Sequence, residues 1–138
     1  MSRTTGGEFL LAHLAGDYLL QTNHQANAKI AAWGPALQHA ATYTAAHLPL
    51  TRDWRALAVI GGTHAVIDRY RLAKYVTWAK NQIGPRDSRT TLAELRESGT
   101  GYPAATPPWM AVWLMIVADN TIHLLINAAA LRRWGASR

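Results

Sequence analysis

The chain has 138 residues and a mass of 15.2 kDa, with 49% hydrophobic and 16% charged residues. That suits one domain and excludes disorder over most of its length. Fourteen Lys and Arg against eight Asp and Glu give a formal charge of +6, which favours anionic partners: a phosphate-bearing small molecule, nucleic acid or a lipid surface. The sequence has no cysteine, which excludes disulfides, thiolate metal sites, iron–sulfur clusters and cysteine nucleophiles.

Ala and Leu dominate, and alternating β-branched residues never persist, so the chain reads as all-α. The first helix is predicted from the capping box Thr5-Gly-Gly-Glu8 to about Gln21. Gly34-Pro35 suits a turn and helix start, giving a second helix over Ala36 to His47 that Pro49 stops. A third is predicted from Asp53 to Gln82, with Gly61-Gly62 inside it marking close backbone packing or a bend. Residues 84–108 form an irregular excursion containing a short helix opened by the box Thr91-Leu-Ala-Glu94. The last helix begins at Thr106 and Pro107 and runs to Gly135. Four principal helices in a single domain over residues 1–138 make a four-helix bundle the economical architecture.

No secretory signal is read at the start of the chain, because His13 and Asp17 interrupt its apolar stretch. The longest uncharged apolar run, Pro107 to Ala118, is shorter than the roughly 20 residues that cross a bilayer. A conventional membrane span is not expected from it.

Chemistry concentrates in three pairs: His13 and Asp17, His64 and Asp68, Asp119 and His123. Each is spaced i, i+4, so on a helix both side chains leave one face and can converge on one ion. His13 sits among leucines, Asp68 follows Ala65-Val66-Ile67, and Asp119 ends the most apolar run. Carboxylates in such surroundings need neutralising, since a buried, unpartnered one costs several kcal/mol. Divalent cations do this, and His39 on the second helix supplies a further ligand. Imidazole and carboxylate donors without sulfur suit Zn, Mn, Fe or Mg. Ions bridged by carboxylates at about 3.5–4 Å would activate a water and clamp a phosphate. The alternative is a metal-free polar core in which Asp and His pairs fix helix register.

Around these ligands, Gln21, Asn120 and Asn127 are expected to hydrogen-bond to them. Arg69, Arg71 and Lys74, with Arg86 and Arg89, are a candidate cationic rim for an anionic substrate, their alternative being a solvated helix face. His24 and His47 read as helix-end residues, and Trp109 and Trp113 as packing residues rather than a base-stacking platform.

Through HLAGDYLLQT, LQHA, HAVID and ADNTIHLLIN the chain resembles the family known as domain of unknown function 3307, found in bacteria and phages. TGYPAATPPWMAVWLMIVADNTIHLLIN is similar to its phage-type members. The resemblance implies that the family's motif positions are His13, Asp17, Gln21, His39, His64, Asp68, Asp119 and His123. Where many members carry Gln after the last Asp, this chain has Asn120. Many bacterial members look more hydrophobic and membrane-embedded. The resemblance implies a site, not a reaction.

These readings combine into one expectation. The chain is a metal-dependent hydrolase of a phosphate-containing or other anionic substrate, with His13, Asp17, His39, His64, Asp68, Asp119 and His123 holding divalent metal. His64 and Asp68 are the expected catalytic pair, and the location is the cytoplasm, of a host cell if the chain is phage-encoded. The alternatives are a membrane-associated structural or interaction protein with a hydrogen-bonded polar core, or a basic phage protein that binds a host factor or nucleic acid.

Overall fold

Three helices start with the same device, a threonine whose hydroxyl accepts from the backbone N–H three residues on while a Glu or Gln at that position reaches back. Thr5 and Glu8 open α1 (Gly6–Leu14), Thr22 and Gln25 open α2 (Asn23–Ala28), and Thr91 and Glu94 open α6 (Leu92–Glu97). The computed structural model, which describes residues 5–135, contains only helices and turns among those residues. The remaining helices are α3 (Trp33–Ala46), α4 (Trp54–Tyr70), α5 (Ala73–Asn81) and α7 (Pro108–Trp134), with a 3-10 turn over Arg86–Ser88.

All-α is therefore the class, with seven α-helices among the described residues where four were expected. Two of the extra helices have identifiable causes. α2 is built on a second capping box, in which the Thr22 amide donates to Gln25 Oε1 at 2.8 Å. The expected helix over Asp53 to Gln82 is divided because Arg71 takes a left-handed conformation, φ 51°, which ends α4 as a C-cap residue does. Arg71 Nη2 donates to the Gly99 carbonyl at 2.6 Å, a bond that compensates for the strained backbone.

The first helix does not continue regularly to Gln21. Beyond Leu14 it widens into a π turn, Ala15–Leu19, closed by the Leu20 amide donating to the Ala15 carbonyl at 3.0 Å. Such turns insert an extra residue and re-aim the side chains around them.

Two compact units divide the chain: one holds the residues up to Tyr70 together with those from His123 onward, the other Arg71–Ile122. In the first, α3 packs on α4 and the π turn packs on α3. Its core is Tyr43, Ala56, Ile60, Ala130 and Leu131, with Phe9, Leu50, Val59 and Trp134 against it. Close approach depends on two glycines. A Cβ at Gly16 would strike the ring and Cα of Tyr43, and one at Gly61 would strike Thr44 Oγ1.

The second unit contains α5, the 3-10 turn, α6 and the first half of α7, so the expected irregular excursion over 84–108 is partly helical. Trp78 Nε1 donates to the Thr90 carbonyl at 2.8 Å, and Lys74 Nζ donates to the carbonyls of Leu95 and Ser98 at 3.3 Å each. Leu95 is fully buried there.

α7 begins when the Pro107 carbonyl accepts from the Ala111 amide at 3.0 Å, and the Gly135 amide closes it onto Leu131 at 2.7 Å. Two expectations change on this helix. Trp109 and Trp113 are 66% and 63% exposed rather than packed. By length and composition α7 is long and apolar enough to cross a membrane, and only 11% of its most apolar stretch is buried. The uncharged run ends at Asp119, but one carboxylate within 27 helical residues does not remove the apolar character of the whole.

Candidate metal centre

Four segments of the first unit deliver imidazoles and carboxylates to one place. The end of α1 and the π turn carry His13 and Asp17, α3 carries His39, α4 carries His64 and Asp68, and α7 carries His123. His13, His39, His64 and His123 are buried, Asp68 nearly so, and Asp17 has 11% of its side chain exposed.

At the centre, His39 Nε2 and His64 Nε2 lie 2.9 Å apart. Asp17 Oδ1 is 3.2 Å from the first and 3.4 Å from the second. Asp68 Oδ2 is 3.4 Å from the first and 3.2 Å from the second. Ligands on a tetrahedral ion at bond lengths of about 2.0–2.1 Å stand about 3.3 Å from one another, close to these five separations.

A neutral imidazole offers one N–H, whereas each Nε2 here faces another imidazole nitrogen and two carboxylate oxygens. The Nδ1 atoms of His39 and His64 are buried without a hydrogen-bond partner among the described residues, so the polar contacts of both rings lie on the crowded side. Two triads whose ligand atoms lie within 4.8 Å of one another result: Asp17, His39 and His64; and His64, Asp68 and His123. Asp68 faces both ways, with Oδ1 3.4 Å from His123 Nε2.

The electrostatics follow from burial opposed by charge. Burial raises the Asp17 carboxyl, but the His39 hydrogen bond and the nearby His64 and His13 outweigh it, and the group lies below the usual carboxylate range. Asp68 is held far below that range, burial being overcome by His123, His39 and His64. Burial lowers His39, yet its bonds to Asp17 and Asp68 raise it above the ordinary value; burial wins at His64, which is lowered despite Asp68. Both carboxylates are therefore anionic.

A second polar chain braces the first. Asn127 Nδ2 donates to the Tyr43 hydroxyl at 2.6 Å and lies 3.1 Å from His47 Nε2. The Tyr43 hydroxyl is 2.7 Å from His13 Nδ1, and His47 Nδ1 donates to the Tyr43 carbonyl at 2.9 Å. The Tyr43 ring stacks on His64, centroids 3.7 Å apart. One tyrosine thus touches His13 and His64 while α7 holds its hydroxyl.

Of the expected ligands, His13, Asp17, His39, His64, Asp68 and His123 belong to this unit. His13 lies 3.5 Å from Asp17 Oδ2 and belongs to neither triad. Asp119, one turn before His123 on α7, is half-buried, belongs to the other unit and enters neither triad. Asn127 bonds Tyr43 and His47 rather than a triad member, and Asn120 is half-buried in the other unit. With its amide oriented as the network requires, Gln21 accepts from His39 Nε2 at 3.2 Å and donates to the Asp17 carbonyl at 3.2 Å.

The expected rim residues have other engagements. Arg69 donates to the carbonyls of Ile30 and Ala31 at 2.6 and 3.2 Å, and Arg71 and Lys74 to carbonyls within the second unit. The cation at the centre is Lys29, whose Nζ is 2.6 Å from Asp68 Oδ2. Lys29 caps the C-terminus of α2, and no spacing rule singles it out. Tyr43 and His47 were also not anticipated, although Tyr43 lies i+4 from His39 and His47 i+4 from Tyr43, so the face was readable from the ligand onward.

A family model described as "Protein of unknown function (DUF3307)" matches residues 7–87. The chain belongs to the DUF3307 family. The matched stretch carries His13, Asp17, Lys29, His39, Tyr43, His64 and Asp68. The ADNTIHLLIN stretch, with His123 and Asn127, lies beyond it. No curated protein and no solved structure matches the chain.

Proposed function

We propose that this DUF3307 protein is a metalloprotein that binds a divalent ion between Asp17, His39, His64 and Asp68, and that it uses the ion to hydrolyse a phosphate-containing substrate. The observation that carries the metal is the set of five separations of 2.9–3.4 Å among two imidazole nitrogens and two carboxylate oxygens in a buried setting. Two imidazoles favour Zn, Fe or Mn over Mg, which takes oxygen ligands and keeps its waters. Asp17, His39, His64 and Asp68 would hold the ion, which would supply Lewis-acid activation of a water and of a phosphoryl oxygen. His123, on the far oxygen of Asp68, orients that carboxylate.

The reaction class is supported by the basic composition and by the Lys29 ammonium beside the ligands. Protein purified without chelator should hold close to one equivalent of a transition metal, and Asp17→Asn with His39→Ala should abolish it. Less than about a tenth of an equivalent after reloading would overturn the metal reading. Hydrolysis of p-nitrophenyl phosphate by metal-loaded protein no faster than by Asp68→Asn would overturn the phosphoesterase reading while leaving the metal.

A second reading, membrane association, is favoured by one specific observation. α7 exposes Trp109, Val112, Trp113, Leu114, Val117 and Leu125, and α1 with its π turn exposes Leu11 and Leu19 at 68% and 81%. Apolar exposure of this extent marks contact surfaces, and the excess positive charge suits anionic lipid.

A further inference from the structure

The charge on the centre changes sign when an ion enters. With the imidazoles neutral, as ligands to a metal must be, Asp17 and Asp68 contribute −2 and Lys29 contributes +1, so these groups without the ion sum to −1. A divalent ion makes the sum +1. Lys29 Nζ, 2.6 Å from Asp68 Oδ2, is the ammonium closest to the ligands, and its side chain is 19% exposed against 0–1% for His39 and His64 and 5% for Asp68. Lys29 is thus the part of the cluster that solvent reaches most. Its position is fixed from two sides. Gln21, suitably oriented, accepts from Nζ at 2.8 Å, and Arg69 ties down the carbonyls of Ile30 and Ala31, the two residues after Lys29.

We infer that Lys29 is the substrate-anchoring residue of this centre, and that the ligand it selects is a phosphomonoester-like dianion that binds only after the metal. The inference rests on the metal reading above. While the site is metal-free, Asp68 holds the ammonium and the local charge repels an anion. Once an ion shares the Asp68 oxygen, the carboxylate's charge is committed to it, and the ammonium is left to pair with an incoming anion on the solvent side. The same arithmetic sets the ion number at one on these ligands. A second divalent ion would raise the cluster to +3 with no further carboxylate in either triad to offset it.

The test uses the full chain with Mn2+ as metal and phenylphosphonate as a non-hydrolysable dianion. Calorimetric affinities are measured for wild type, Lys29→Met and Lys29→Arg. Metal-loaded wild type should bind phenylphosphonate, and metal-free wild type should bind it at least about tenfold more weakly. Lys29→Met should bind Mn2+ as tightly as wild type or tighter, because a repelling charge is gone, yet bind phenylphosphonate about tenfold or more weakly. Lys29→Arg should restore most of that binding. The opposed directions for metal and anion separate an anchoring role from a bracing one. If Lys29→Met loses metal and anion together, Lys29 is only a brace and the inference is overturned. Unchanged phenylphosphonate binding by metal-loaded Lys29→Met overturns it while the metal reading stands. If wild type takes up no metal, both readings fall.

Discussion

At the scale of single residues, Tyr43 links the candidate ligands to the surrounding fold. Its hydroxyl accepts from Asn127 and meets His13, while its ring lies on His64. Tyr43→Phe keeps the stack and removes the hydroxyl, leaving a buried Asn127 donor short of a partner; the expected loss is about 1–3 kcal/mol in urea unfolding. His47 gives a pH dependence. Burial holds its imidazole below the ordinary value near 6.5, against the bond to the Tyr43 carbonyl. The unfolded chain therefore takes up a proton first as the solution is acidified. His47 supports the fold fully above about pH 6.5, and that support declines as pH falls from there towards the lowered folded value, with a limiting slope of about 1.4 kcal/mol per pH unit. His39 is shifted the opposite way, so the comparison must be with His47→Gln, whose unfolding free energy should fall less steeply between pH 6.5 and 5. Equal slopes would show that His47 does not carry the effect.

At the scale of elements, the two glycines of α4 behave differently. A Cβ at Gly62 meets nothing within 4 Å, whereas one at Gly61 meets Thr44 Oγ1, whose hydroxyl donates to the Ala40 carbonyl at 2.7 Å. Gly62→Ala should raise stability by about 0.5–1 kcal/mol through helix propensity. Gly61→Ala should gain less or lose, because α3 must give way; thermal unfolding of the pair checks this. The two positions look identical in the sequence, where Gly61-Gly62 signals only close packing or a bend. Other features were legible for physical reasons. The i, i+4 pairs His13/Asp17 and His64/Asp68 meet because helical spacing forces each onto one face, and His39 joins them from a neighbouring helix. The α2 capping box has the pattern of the two boxes that were read, and a polar TNHQAN stretch hid it. The break at Arg71 has no local signal, since no Gly or Asn marks the left-handed residue and the compensating bond comes from 28 residues away. Lys29 escaped because a cation in a connecting segment is placed by tertiary structure alone.

At the scale of the whole molecule, both triads belong to the unit formed by the residues up to Tyr70 and those from His123. The Arg71–Ile122 segment interrupts that unit in sequence, and α7 ends in it with the buried His123 and Asn127. Removing α7 from His123 onward should therefore abolish metal uptake as well as lower stability, whereas Trp109→Ser with Trp113→Ser, at exposed positions, should leave metal content unchanged. Those Trp variants also test the lipid reading. Wild type should float with vesicles containing anionic lipid in a density gradient, and the double variant should float less. If wild type stays with the soluble fraction at low salt, the exposed apolar residues do not serve a bilayer.

The π turn over Ala15–Leu19 makes the chain sensitive to its length there. It packs five residues into a turn where an α-helix takes fewer, so deleting one would let the segment relax into continuous α-helix. The helix on either side would keep nearly the same register, because the turn itself holds the extra residue, while the residues inside the turn would shift by one position. Loss of Gly16 would bring a residue with a Cβ to the seat against Tyr43. The harm done by a one-residue loss between Leu14 and Leu20 should thus depend on which residue goes and be greatest at Gly16.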